Sequence, residues 1–143
     1  CLLAALAACG GDDSAAFDPD GAAKALLDSG AFSVTLEELE AELLYDFSGY
    51  GADPSALTAS KAYSASGFAE QVSVTVWKDE DAAKAAVEMF RTYLEDMADS
   101  YKDYAPAEVP KLESAILERR GTSVLLAVPN DGAKAQSAVD GLK

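Results

Sequence analysis

The chain has 143 residues, half of them apolar, with 25 acidic and 11 basic side chains, two cysteines and no histidine. That length makes one domain of ordinary size, and the lack of histidine removes Ser-His and Cys-His catalytic pairs and every histidine-containing zinc site. A net charge of −14 argues against sequence-independent nucleic-acid binding, which relies on Lys and Arg neutralising phosphates.

Residues 1–9 are uncharged and apolar, far short of the roughly 20 residues that a membrane-spanning helix needs. They read as the end of a signal-peptide hydrophobic region. Leu6-Ala7-Ala8-Cys9 resembles the lipobox of bacterial lipoproteins, whose cysteine is diacylated at sulfur and becomes the first residue after cleavage. Gly10-Gly11-Asp12-Asp13-Ser14 has the polar, flexible composition of a tether. The layout expected is a signal-peptide remnant over 1–8, a tether anchored through Cys9 over 9–17, and a single domain over 18–143. No thiol is then left for a disulfide.

Within the domain, Asp18-Pro19-Asp20-Gly21 opens a short helix over 22–27 that Ser29-Gly30 stops. Thr35-Leu36-Glu37-Glu38 has the capping-box form. Leu36, Leu39, Leu43, Leu44 and Phe47 follow at helical spacing and predict a second helix. Two strands are expected over 58–64 and 71–77. In the latter, Val72, Val74 and Val76 alternate with Ser73, Thr75 and Trp77. The longest helix runs over 80–100 on a stripe that includes Ala83, Val87, Phe90, Leu94 and Met97, and Tyr104-Ala105-Pro106 breaks it. One more turn over 107–112, strands over 114–119 and 122–128, and a terminal helix after Pro129-Asn130-Asp131 complete the chain.

Strand-strand-helix thus occurs twice. At an offset of 52 positions, Val72, Val76, Asp79 and Ala83 align with Val124, Val128, Asp131 and Ala135. The expected fold is α+β, an antiparallel sheet of about four strands built from two ββα units, with their helices on one face. The chain also resembles the bacterial lipoproteins grouped as the domain of unknown function 4358. The likeness lies in the lipobox, in Val74-Thr-Val-Trp-Lys-Asp79, in the long helix closed by Tyr104-Ala-Pro106, and in the hairpin from Arg120-Gly121-Thr122 into Val124-Leu-Leu-Ala-Val128. It extends from about Leu26 to Leu142. The resemblance implies an envelope lipoprotein and carries no activity and no catalytic residues.

No constellation of catalytic or metal-ligating residues emerges. With Gly21 at the sixth position of a calcium loop, Ala16 and Leu27 would fill the first and twelfth, so the loop fails. The acids of 37–42 and 80–99 lie mostly off the apolar stripes, as on a solvated helix face. No Gly-x-Ser-x-Gly elbow occurs, and Arg119-Arg120 is the sole adjacent basic pair, at a hairpin tip. The candidate binding face is the second face of the sheet, with Trp77, Leu125 and Tyr63 as its apolar centre. The competing arrangement lays the helix over 36–47 across that face. No cofactor or metal is expected. The function expected is that of a non-enzymatic binding module on the extracytoplasmic face of the cell membrane. Its partners would be the membrane, through the lipid, and an envelope protein or small ligand; nucleic acid is not among them. The alternatives are a carboxylate-dependent envelope hydrolase or transferase, and an accessory subunit of a membrane complex.

Overall fold

The computed structural model describes residues 16–142. The elements are α1 (Pro19–Asp28), β1 (Glu37–Leu39), α2 (Ala41–Leu44), β2 (Leu57–Ser64), β3 (Gln71–Trp77), α3 (Glu80–Tyr104), α4 (Val109–Glu113), β4 (Ile116–Arg120), β5 (Ser123–Val128) and α5 (Gly132–Asp140). The strands form one five-stranded sheet in the order β1-β2-β3-β5-β4, antiparallel at every pair. The fold is therefore α+β as expected, with one strand more than the four anticipated. Three helices start on aspartate caps: Asp18 accepts from Gly21, Asp79 from Ala82 and Asp131 from Lys134. Each cap satisfies an amide that the helix itself leaves unpaired. The β4–β5 hairpin turns on Gly121 at φ +59°, as a turn with glycine at its first central position requires.

The extra strand replaces the start of the helix expected over 36–47. Glu37–Leu39 pairs with β2, and Glu38 reaches Lys61 at 2.6 Å instead of closing a capping box. Only Ala41–Leu44 is helical, and Leu43 is 77% exposed. The aromatic residues override the leucine spacing. Tyr45 has extended backbone, and Tyr45 and Phe47 are both buried. Tyr45 stands edge-on to Phe90 (4.9 Å between centroids) and Tyr93 (5.1 Å), and Phe47 edge-on to Trp77 (5.4 Å). Each such pair contributes about 1 kcal/mol beyond simple burial, more than the few tenths per residue that helix propensity offers.

The helices do not share one face. Helix α3 packs over Trp77, Val124, Leu126 and Val128, while α1 and α5 pack over Val72, Val74, Leu125 and Ala127. Register explains the split, because Thr75 pairs with Val124 and Val74 with Leu125. The valines of β3 therefore share a face with Leu125 and Ala127, not with Val124 and Val128. Residues matched at the 52-position offset fall on opposite faces, so the recurrence is one of element order and not of packing. Among the described residues the first buried side chain is that of Phe17, one position before Asp18. Phe17 is buried, its amide donates to Ser123 Oγ at 2.8 Å, and its ring lies 4.4 Å from the Arg120 guanidinium carbon.

Candidate functional site

The lipobox residues Leu6, Ala7, Ala8 and Cys9 lie outside the described residues. The three residues of the candidate binding face are not brought together. Trp77 is 2% exposed beneath α3, whereas Leu125 is fully buried on the opposite face with Tyr63 packed beside it. The face carrying Ser73 and Thr75 is not open either. The Tyr45 hydroxyl lies 2.8 Å from Gln71 Oε1 and 2.9 Å from Ser73 Oγ, and Gln71 Nε2 donates to the Tyr93 hydroxyl at 3.0 Å. Trp77 Nε1 donates to Thr75 Oγ1 at 2.9 Å. Buried hydroxyls that meet polar partners remove the desolvation cost which would otherwise keep such a face in water. Burial pushes the Tyr45 phenol well above its ordinary pKa and raises that of Tyr93. Both remain neutral donors at physiological pH.

A cluster at one end of the sheet was not anticipated. Two loops and helix α4 converge where β3 begins, and Glu70 lies at their meeting point, fully buried. Its carboxylate accepts from the Ser33 amide at 2.7 Å, from the Ser33 hydroxyl, and from Lys111 Nζ at 2.7 Å. Lys111 also reaches Glu108 Oε2 at 3.0 Å, and Glu108 accepts from the Ala69 amide at 2.7 Å. Burial by itself would raise the Glu70 carboxyl, but the Lys111 ammonium and the Ser33 donors outweigh it and hold the group below its usual range. Burial would likewise lower Lys111, and bonding to Glu70 and Glu108 outweighs it, so the ammonium is raised. Lys111 and Glu70 are both charged at neutral pH, and Glu70 has no tendency toward a proton-donor role of the glycosidase kind.

Two aromatic side chains stand out from this end. Phe68 is 43% exposed and carries the Lys111 ammonium 5.5 Å from its ring centroid. Tyr104 is 68% exposed and stacks on Tyr101 at 5.0 Å. Apart from Leu43 these are the large hydrophobic residues exposed among the described ones, so the end combines a fixed ion cluster with apolar surface. The sequence holds weak signals for it: the i,i+3 spacing of Glu108 and Lys111, and an aromatic residue directly after the Ser66-Gly67 turn. Glu70, 41 positions from Lys111, gives none.

The remaining motifs resolve into structural roles. Arg120 donates to the Leu142 and Val139 carbonyls at the end of α5 and to Glu118. Arg119 donates to the Gly121 carbonyl at 2.8 Å. The pair thus does not present two free guanidinium groups to an anion. Among the described residues no group of three or more acidic or cysteine side chains is placed to hold a metal ion, and no helix is long and apolar enough to cross a membrane.

No curated protein and no solved structure matches the chain. A family model, described as Domain of unknown function (DUF4358), matches residues 29–129, from the loop after α1 to the end of β5. The chain belongs to that family.

Proposed function

We propose that this protein is an envelope lipoprotein, held on the extracytoplasmic face of the cell membrane by lipid on Cys9. In this reading it serves there as a non-enzymatic binding module. One observation carries the reading beyond the lipobox: the place of Phe17 at the end of the sheet opposite the aromatic cluster. Phe17 is held beside Ser123, which closes the β4–β5 turn and pairs with Val76. Phe68, Glu70 and Lys111 gather where Gln71 pairs with Val128. These are opposite ends of β3, about 20 Å apart at roughly 3.3 Å per residue. Eight peptide steps separate Cys9 from Phe17 and span at most about 28 Å. Lipid on Cys9 would therefore hold the Phe17 end within about 28 Å of the bilayer, with the aromatic cluster at the opposite end of the sheet. A net charge of −14 would add repulsion between the domain and anionic headgroups.

Detergent-phase partition of the wild-type protein and Cys9→Ala, expressed in a lipoprotein-processing bacterium, tests the anchor. The wild type should enter the detergent phase and the variant the aqueous phase. Tyr104→Cys adds an exposed thiol at the far end, and a membrane-impermeant maleimide should label it in intact cells stripped of their wall. Detergent partition of Cys9→Ala, or labelling only after lysis, would refute the proposal.

A further inference from the structure

Two strands bound the sheet, and they end it differently. Strand β1 has three residues, a length that protects an edge by its brevity. Strand β4 has five, pairs with β5 without a register break, and contains neither proline nor bulge. Its charged side chains do not shield the outer edge, because Arg119 folds onto the Gly121 carbonyl and Arg120 onto the carbonyls closing α5. In a hairpin with a two-residue turn, Arg120 and Ser123 form a hydrogen-bonded pair, and such pairs alternate along the strands. The backbone donors and acceptors of Leu117 and Arg119 therefore point to the open side.

Beside that edge runs a groove of about 340 Å³ between β4 and α3, with Val87 and Leu117 in its lining and Lys84, Arg91 and Arg119 around them. Glu88 and Glu118 are the carboxylates that line it. Glu88 pairs with Arg91 at 3.2 Å, Glu118 with Arg120 at 2.6 Å and Glu80 with Arg119 at 3.5 Å, while Lys84 makes no ion pair among the described residues. On a chain with 25 acids and 11 bases, a groove lined by three cations and two carboxylates is a local surplus of positive charge, with Lys84 the lining cation that stands outside any ion pair among the described residues. All three arginines of the chain, Arg91, Arg119 and Arg120, stand on this strand or on the helix facing it.

We infer that β4 and this groove receive an extended acidic peptide segment of a partner protein, added to the sheet as a sixth strand. Main-chain bonds to Leu117 and Arg119 would hold the segment. Its side chains on the α3 side, two residues apart, would alternate between the Val87–Leu117 floor and the cations. The surface lies apart from the aromatic end and does not depend on lipid anchoring.

The test uses a fluorescein-labelled octapeptide Val-Ser-Glu-Ser-Val-Ser-Glu-Ser with blocked ends, whose valines and glutamates alternate along one face of an extended strand, titrated into the protein and read by anisotropy. Three comparisons accompany it: a lysine-for-glutamate peptide, an acidic peptide N-methylated at alternate residues, and the exposed double variant Lys84→Glu/Arg91→Glu. Binding of the acidic peptide should exceed that of the lysine peptide at least tenfold. It should fall at least tenfold with either the N-methylated peptide or the double variant, and bring slowed hydrogen exchange at the Leu117 and Arg119 amides. Equal binding of both peptides, indifference to N-methylation, or protection at β1 instead would overturn the inference. So would slow exchange at Leu117 and Arg119 without peptide in a protein that sediments as a dimer, since a second copy would then occupy the edge.

Discussion

Lys111→Met removes the ammonium that two buried carboxylates share. Glu70 would keep its two bonds from Ser33, and Glu108 its bond from the Ala69 amide, but the cluster would carry two negative charges and no positive one. Breaking a buried pair by deleting one partner costs about 3–5 kcal/mol. The lower end applies here, because the Lys111 side chain is 13% exposed and Ser33 still solvates Glu70. A loss of about 3 kcal/mol moves a urea midpoint down by about 1.5 M for a slope near 2 kcal/mol/M. The single tryptophan, Trp77, is buried under α3 and its fluorescence reports the transition. The pH dependence is the sharper criterion. In the wild type Glu70 is held below its ordinary value, so its contribution is complete above the unfolded-state pKa and is lost only as pH falls through the lower folded value. Without Lys111, burial becomes the dominant influence and raises the group, so that protonation in mild acid relieves the folded state. The deficit of the variant should therefore shrink between pH 7 and pH 5, by up to about 1.4 kcal/mol per pH unit once Glu70 titrates. Glu70→Gln/Lys111→Met should recover most of the loss. A deficit below about 1 kcal/mol at pH 7, or one constant from pH 7 to pH 5, would refute the account of the cluster.

Phe17→Ala should cost about 3–4 kcal/mol in the same urea assay, as truncation of a buried phenylalanine does, and a value near zero would mean that its ring is not held in the core. Tyr45→Phe deletes the hydroxyl within reach of both Gln71 and Ser73 and should cost about 1–2 kcal/mol, with α3 still helical by circular dichroism. Tyr45, Tyr93 and Tyr101 are all raised, burial being the largest cause in each, so stability should fall as pH rises above about 10, where the unfolded chain alone ionises them. Phenolate absorbance should accordingly rise in two steps, the second coinciding with loss of Trp77 fluorescence structure.

Most elements could be read from local pattern. Asp18-Pro19, Asp79 and Asp131 mark helix starts, and β3 is an unbroken alternation from Gln71 to Trp77. What failed was information that neighbouring residues do not carry. Leucines at helical spacing predict a helix over 36–47, but the same stretch places Tyr45 and Phe47 two apart, and the aromatic core of α3 selects that second spacing. Face assignment failed for a similar reason. The residues of β3 alternate cleanly and β5 is an apolar run after Ser123, yet nothing in either strand says whether Thr75 or Val74 lies opposite Val124, and one residue of register exchanges the faces. The ion cluster was invisible because Ser33, Glu70 and Lys111 come from two loops and helix α4, far apart along the chain.

That same register determines what surface the protein has left. Had both ββα units laid their helices on one face, the other would have stood open around a tryptophan, and a flat apolar patch would have been the place to seek a partner. With α3 on one side and α1 and α5 on the other, both faces are consumed by the core, and β3 and β5 are buried along nearly their whole length. A binding role as proposed would then use what a closed sheet still offers, namely its ends and its outermost strands. At one end Phe17 is buried beside Ser123, and at the other Phe68 and Tyr104 flank a charge cluster that is already neutralised internally except for one carboxylate's worth of charge. Of the outer strands, β1 is too short to seat much of a partner, which leaves β4 with its cationic groove. Burial of Trp77 thus moves the search for a partner from the sheet face to the loop end and the β4 edge.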